Sequence, residues 1–310
     1  MHNTTHAVMF HHFHDNRHAS GQGSLSSSDF INMIEWLKKH YSIINANQYK
    51  EKFENQTLKE KDICLSFDDA LKCQYDIAVP IMEKLGIEAF FFTHSSAFGK
   101  SPDPLEIFRH FRTTCFDSID EFYEEFFEYL RNKDAKEFSI QHKKYKMLGY
   151  LSEYSIYTEN DRWFRYLRDF YLDISDYNQT MRDLMFDKGF DIDVAKQNLW
   201  MSEQDLINLD NQGHLIGLHS YSHPTKISKL SKADQESEYK RNYKHLSSLL
   251  NKPIKVMSHP CGDYNITTLN ILTKMNVQLG FRDNMLIKEI QSPLEIPRED
   301  HSIILKEMKK

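Results

Sequence analysis

Two short stretches of this chain hold side chains whose types and spacing can do chemistry. In Ser66-Phe67-Asp68-Asp69, two adjacent carboxylates close the apolar run Ile63-Cys64-Leu65-Ser66-Phe67. In His219-Ser220-Tyr221-Ser222-His223, two imidazoles stand four residues apart after the apolar run Leu215–Leu218. Taken singly, each has an ordinary explanation. Asp69 caps the next helix while Asp68 is solvated, and the histidines are surface loop residues in a chain with 16 of them. Four-residue spacing, however, brings two imidazoles onto one face of a helical turn, where their ring nitrogens share one metal ion. A carboxylate joining them leaves positions open for water and substrate, and the second carboxylate is then free to act as a base. That chemistry is metal-assisted hydrolysis. Two His and one carboxylate also describe non-haem iron oxygenases, although the adjacent second carboxylate has no clear job there.

Such a site needs elements that bring the two stretches together. Residues 7–10 form a short apolar run, a first strand, that ends in His11-His12-Phe13-His14-Asp15. A Ser/Gly-rich loop leads to a helix capped by Ser28 or Asp29, with Phe30, Met33, Ile34 and Leu37 on one face. The run at 63–67 is a buried-strand pattern. A helical pattern (Ile77, Ile81, Met82, Leu85) closed by Gly86 follows it, then a strand at 89–94. Residues 99–198 lack strand patterns and are rich in Phe, Tyr, Arg and Glu. Phe122, Phe126 and Leu130, then Tyr166, Phe170 and Leu172, mark this stretch as a helical insertion, a lid or partner surface. Strand and helix alternate again after Trp200. Ser202 caps a helix, strands fall at 215–218, 256–258, 279–282 and 294–297, and helices at 233–250 and 266–275 lie between them. The expected fold is therefore α/β with a parallel sheet. In parallel barrels catalytic groups gather at the C-terminal ends of strands, which is where both motifs fall.

Composition sets outer limits. The chain has 310 residues, 40% hydrophobic and 27% charged, with only 10 Gly and 8 Pro, as in an ordinary globular protein. A formal charge of -6 gives no general attraction to nucleic acid or anionic lipid. No run is long enough to span a membrane, and no signal peptide is readable in Met1 to His6. Cys64, Cys73, Cys115 and Cys261 show no Cys-x-x-Cys pairing, so a reducing cytoplasm is the expected location.

The two motifs together, in this order and setting, resemble those of the polysaccharide deacetylase (NodB-homology, carbohydrate esterase) family. Asp68-Asp69 resembles its Asp-Asp motif, and His219 to His223 its His-Ser/Thr-x-x-His motif. The resemblance spans roughly the first hundred and the last hundred residues; the helical insertion lies outside it. It implies a single distorted (β/α) barrel built from 1–98 and 199–310 and interrupted by 99–198. It also implies a divalent metal held by Asp69, His219 and His223, zinc first, with cobalt, nickel or iron as alternatives. Asp68 becomes the general base, and the activity is N-deacetylation of an amino sugar in surface glycan biosynthesis.

The remaining roles follow the resemblance less closely. Where the family has an Arg- or aromatic-led Pro-Tyr segment, this chain has Ser258-His259-Pro260-Cys261-Gly262, which lacks the Arg and the Tyr. Cys261 is expected to offer its backbone N–H to the oxyanion, with His259 and Pro260 at the substrate. His301 is the expected general acid and Arg298 a substrate or oxyanion partner; His11 and His14 are expected to line the substrate pocket. A glycan is the expected partner, and the aromatic insertion is a candidate surface for homo-oligomers. A catalytically degenerate barrel that binds glycan or protein is the non-enzymatic alternative.

Overall fold

The computed structural model describes residues 6–152, 157–286 and 290–309. It divides into two compact units, Met1–Asp103 with Asn198–Lys310, and Pro104–Gln197.

The first unit opens with β1 (His6–Phe10), α1 (Ser27–His40), β2 (Ser42–Ile43), α2 (Ala46–Glu54), β3 (Asp62–Asp68), α3 (Val79–Leu85) and β4 (Phe90–Thr93). Helix α1 is capped at Ser26, ahead of the Ser28 or Asp29 that the sequence suggests. Ser26 accepts the Asp29 N–H while Asp29 accepts the Ser26 N–H. Gly86, with φ of +65°, ends α3 in the left-handed cap conformation.

The second unit contains α4 (Pro104–Thr114), α5 (Ile119–Lys133), α6 (Ala135–Leu148), α7 (Glu159–Tyr166), α8 (Ile174–Asp187) and α9 (Ile192–Lys196). Phe122, Phe126 and Leu130 line the buried stripe of α5. Phe111, Phe122, Phe126, Phe164 and Tyr177 meet largely edge to face around it, the arrangement that ring quadrupoles favour. The Tyr123 hydroxyl donates to the buried Asp161 carboxylate, so that core also holds a satisfied polar pair.

The first unit then resumes with α10 (Glu203–Asn211), β5 (Leu215–Leu218), α11 (Lys232–Leu250), β6 (Val256–Ser258), α12 (Ile266–Lys274), β7 (Leu279–Phe281), β8 (Arg298–Asp300) and α13 (His301–Met308). The strands pair in parallel in the order β7-β6-β5-β4-β3-β1-β8, with β2 beside the start of β3. Ile296 bridges back to Phe281 while Arg298 to Asp300 pair with Ala7 to Met9, so this one segment nearly closes the sheet into a barrel. The chain thus forms the (β/α) barrel that its motifs imply, unlike the double-sheet β folds of the iron oxygenases.

One strand boundary differs from the sequence reading. The pattern places a strand at 294–297, but the ladder with β1 begins at Arg298. Pro297 has no N–H to give to a ladder, and its carbonyl instead accepts the Ala7 N–H. The shift puts Arg298 inside the barrel wall instead of beyond it.

Side chains alternate sides along a strand, and this decides what the barrel encloses. Ala7, Cys64, Phe90, Phe92, Val256, Leu279, Phe281 and Ile296 fall in one buried cluster across the strands. Gly217 lies against that layer, where a Cβ would come within 2.5 Å of the Phe92 ring. Two residues beyond Cys64 on the same side of β3 is Ser66, and two further is Asp68. The apolar filling therefore gives way to polar side chains at the C-terminal end of the strands.

Candidate active site

Asp68 and Asp69 are neighbours in sequence but serve different partners. Asp68 is the last residue of β3, and its carboxylate meets the Arg298 guanidinium in two parallel bonds, Nη1 to Oδ1 and Nη2 to Oδ2, both 2.7 Å. Arg298 is fully buried, and its Nη1 also reaches Ser66 Oγ at 3.3 Å. Burial alone would raise the Asp68 pKa; Arg298, then His219 and His11, outweigh it and hold the carboxyl below its ordinary value. Asp68 is thus a fixed, ionised carboxylate.

Asp69 turns the other way because its backbone leaves the strand with φ of +76°, followed by Ala70 at +52°. Its Oδ1 lies 3.4 Å from both His219 Nε2 and His223 Nε2, yet is buried with no hydrogen-bond donor among the described residues. Ligand atoms about 2.0–2.1 Å from a tetrahedral ion stand about 3.3 Å apart, so the two 3.4 Å spacings from Asp69 Oδ1 suit ligands of one metal ion. The ligand atoms of Asp69, His219 and His223 all lie within 4.8 Å of one another. Burial again opposes the charged form of Asp69, and His223, His219 and His11 drive its pKa well below the usual range.

The histidines do not meet on a helical turn, as their spacing suggests. They sit in a loop after β5 whose Ser220 and His223 adopt left-handed backbone, φ of +60° and +56°. Glu238 of α11 holds that loop, accepting the Tyr221 and Ser222 N–H groups and the Ser222 hydroxyl. Buried Asn242, one turn on, accepts the His219 N–H and donates to the Thr93 carbonyl and Ser95 Oγ. His219 Nδ1 lies 2.8 Å from Ser258 Oγ and 3.0 Å from the Ser258 carbonyl; the carbonyl can only accept and the hydroxyl can donate to Asp68, which favours the proton on Nδ1 and leaves Nε2 as the ligand atom. His223 Nδ1 faces Asp103 at 3.6 Å. Burial disfavours the charged His223 ring, but Asp69, then Asp103 and Asp68, lift its pKa to about 9. As a ligand it would have to release that proton.

The other residues singled out from the sequence divide into two groups. His11, just past β1, brings Nε2 to 4.0 Å from Asp68 Oδ2 and 3.9 Å from Asp69 Oδ2, and its side chain is 27% exposed. Pro260 opens the turn Pro260–Gly262, in which Cys261 has φ of +51°. The Cys261 N–H makes no hydrogen bond to the described residues. Its thiol is open to solvent yet surrounded by chain and by Asp69, Asp103, Asp283 and Asp68, which push its pKa up to about 12. It is a poor nucleophile at neutral pH.

The structure does not bring the second group to the open face. His259 is fully buried; its Nε2 donates to the Leu294 carbonyl at 2.8 Å, its ring stacks on Tyr264, and burial lowers its pKa to about 3. His301, the expected acid, opens α13, packs on the Phe10 ring and bonds the Gly23 carbonyl. His14 Nδ1 is held by Ser24 Oγ. Arg298, the expected substrate partner, is instead spent on Asp68. Glu238, Asn242, Ser258 and Asp103 were not legible as site residues, since single polar residues in a helix, a strand end or a loop carry no spacing signal.

The family model described as polysaccharide deacetylase matches residues 174–280, which include the His219–His223 loop and the Pro260 turn. That stretch, about a third of the chain, is similar to polysaccharide deacetylases. Solved structures share the fold. The deacetylase PplD from Streptococcus pyogenes, in complex with acetate, is 14% identical with a TM-score of 0.57, over 97% of this chain and 93% of that one. IcaB from Ammonifex degensii is 12% identical with a TM-score of 0.57, over 96% and 91%. A de-N-acetylase from Aggregatibacter actinomycetemcomitans is 14% identical with a TM-score of 0.56, over 95% and 93%. No curated protein matches the chain. The Ser258 hydroxyl lies 3.3 Å from Asp68 Oδ2, and a guanidinium reaches the same carboxylate from β8.

Proposed function

We propose that this chain is a polysaccharide deacetylase, a metal-dependent hydrolase that removes an N-acyl group from an amino sugar. The observation that carries the proposal is the buried Asp69 carboxylate oxygen that has no donor and stands 3.4 Å from two imidazole nitrogens, beside a second carboxylate held separately by an arginine. Asp69, His219 and His223 would hold the ion; imidazole and carboxylate donors suit zinc, cobalt, nickel or iron. When bound, it supplies Lewis acidity, lowering the pKa of a water and polarising the amide carbonyl.

The chain's own groups do the rest. Asp68, kept ionised by Arg298, accepts the proton of the attacking water. The unpaired Cys261 N–H donates to the carbonyl oxygen as negative charge develops there. His11, the partly exposed imidazole nearest both carboxylates, gives a proton to the leaving nitrogen. Water thus adds to the acyl carbon, the C–N bond breaks, and a carboxylate and a free amine leave. His11 replaces His301 in this role because His301 is walled by Phe10 and tied to Gly23.

A cytoplasmic place in surface glycan biosynthesis and a role for residues 99–198 in self-association belong to the same proposal. Among the described residues no helix is long and apolar enough to cross a membrane. The test is elemental analysis together with release of acetate from N-acetylglucosamine oligomers, for the wild type and for Asp69→Ala with His219→Ala. Near-stoichiometric metal and acetate release, both lost in the variant, are expected. A metal-loaded wild type that releases no acyl group from any amino sugar would make the chain a binding barrel instead.

A further inference from the structure

On the outer side of the metal-site loop, α11 lines a cavity of about 630 Å³, within the size range of small-ligand pockets. Arg241, Lys244, His245 and Ser248 follow one another at the spacing of a single helical face and all border it, opposite Tyr221 and Glu203. The Arg241 guanidinium stacks over the Tyr221 ring, 3.4 Å from its centroid. Stacking occupies the flat face of the guanidinium and leaves its edge N–H donors free, while holding the group still. Among the described residues no carboxylate pairs with Arg241 or Lys244. The one acid of the cavity, Glu203, is already bonded to His245 Nε2 at 2.9 Å, and His245 Nδ1 faces Ser95 Oγ at 2.8 Å. The cavity therefore holds two unspent cations, one of them immobilised, in a protein whose formal charge is -6.

We propose that this cavity is an anion subsite that takes a phosphate group carried by a sugar. A planar carboxylate would be satisfied by the arginine fork alone. A fork, an ammonium and a hydroxyl spaced along one helical face at Arg241, Lys244 and Ser248 offer separate donors to the several oxygens of a tetrahedral phosphate. The subsite is mechanically joined to the metal-site loop. Tyr221, on which Arg241 lies, sits between His219 and His223, and its N–H is held by Glu238, three residues before Arg241 on the same helix. A phosphorylated ligand seated here fixes the loop that carries both imidazoles.

Calorimetric titration of the full chain with inorganic phosphate, an N-acetylglucosamine phosphate and unphosphorylated N-acetylglucosamine tests the assignment by binding alone, so its failure would leave the hydrolase reading standing. The sugar phosphate is expected to bind more tightly than either other probe, and about tenfold more weakly to Arg241→Gln and to Lys244→Gln, since each loses one charge-assisted contact. Lys240→Gln, whose partner is Glu236, is the folded control and should bind as the wild type does. Equal affinity for inorganic and sugar phosphate, still lost in both variants, would keep the phosphate site but overturn the sugar as carrier. Equal affinity of wild type and variants, or of phosphorylated and plain sugar, would overturn the site.

Discussion

Replacing Arg298 with Met tests the division of labour between the two aspartates. Arg298 and Asp68 are 0% and 3% exposed at the side chain and joined by two 2.7 Å bonds. Methionine keeps much of the volume and removes the charge, leaving a carboxylate buried without its main partner. Removing one member of a buried pair costs about 3–5 kcal/mol, so urea unfolding at neutral pH should show a loss of that order. Arg298 is also the strongest influence lowering the Asp68 pKa against burial. Without it that pKa rises, so activity requiring the ionised form is lost at higher pH and the acidic limb of the pH–rate profile moves upward. Loss of a fixed carboxylate orientation should cost about 10²-fold in kcat. Metal content should stay near that of the wild type, because Arg298 touches none of the three proposed ligands. The companion variant Asp68→Asn removes the same function from the other side, so the double variant should be scarcely less active than either single one. An unshifted acidic limb in Arg298→Met, or fully additive losses in the double variant, would refute the reasoning.

His11→Gln should lower kcat by about 10²–10⁴-fold with metal content unchanged, whereas His301→Gln should alter stability and leave the rate; steady-state kinetics with elemental analysis separates the two. Asn242→Leu removes the acceptor of the His219 N–H and the donor to the Thr93 carbonyl, leaving both buried, and should cost about 3 kcal/mol in urea unfolding while weakening metal retention. His214 is buried and accepts the Ala89 N–H at Nδ1, and burial lowers its pKa from 6.5 to about 4. The stability it contributes is present above the unfolded pKa of 6.5 and lost as pH falls towards 4, about 3 kcal/mol in all. His214→Asn should flatten the fall in stability between neutral and mildly acidic pH; an equally steep fall in the variant would assign the acid sensitivity elsewhere.

The sequence by itself determined the alternation of strands and helices and the position of both candidate-site motifs, because these are local signals. Ile63 to Phe67 is an apolar run of buried-strand type, Ser202 and Asp205 carry their capping box within four residues, and Asp68 closes that strand. A parallel sheet then places every strand's C-terminal end on one side, so Asp69 and His219 had to meet. What only the tertiary structure decided are partners far apart in the chain. Arg298 is 230 residues from Asp68, and nothing near it shows that a proline would shift the last strand and turn the guanidinium inward. The same holds for Asn242 and Glu238, polar residues on a helix that is polar along much of its length. Their roles arise because one face of α11 lies against the His219–His223 loop. Two histidines four apart likewise read as a helical turn until the left-handed Ser220 and His223 show a loop, held from outside by the Glu238 bonds and within by Ser220 Oγ, which accepts the His223 N–H. Burial finally separated His11 from His301. Both follow strand-forming runs, but only packing leaves the first open beside the carboxylates and seals the second against Phe10.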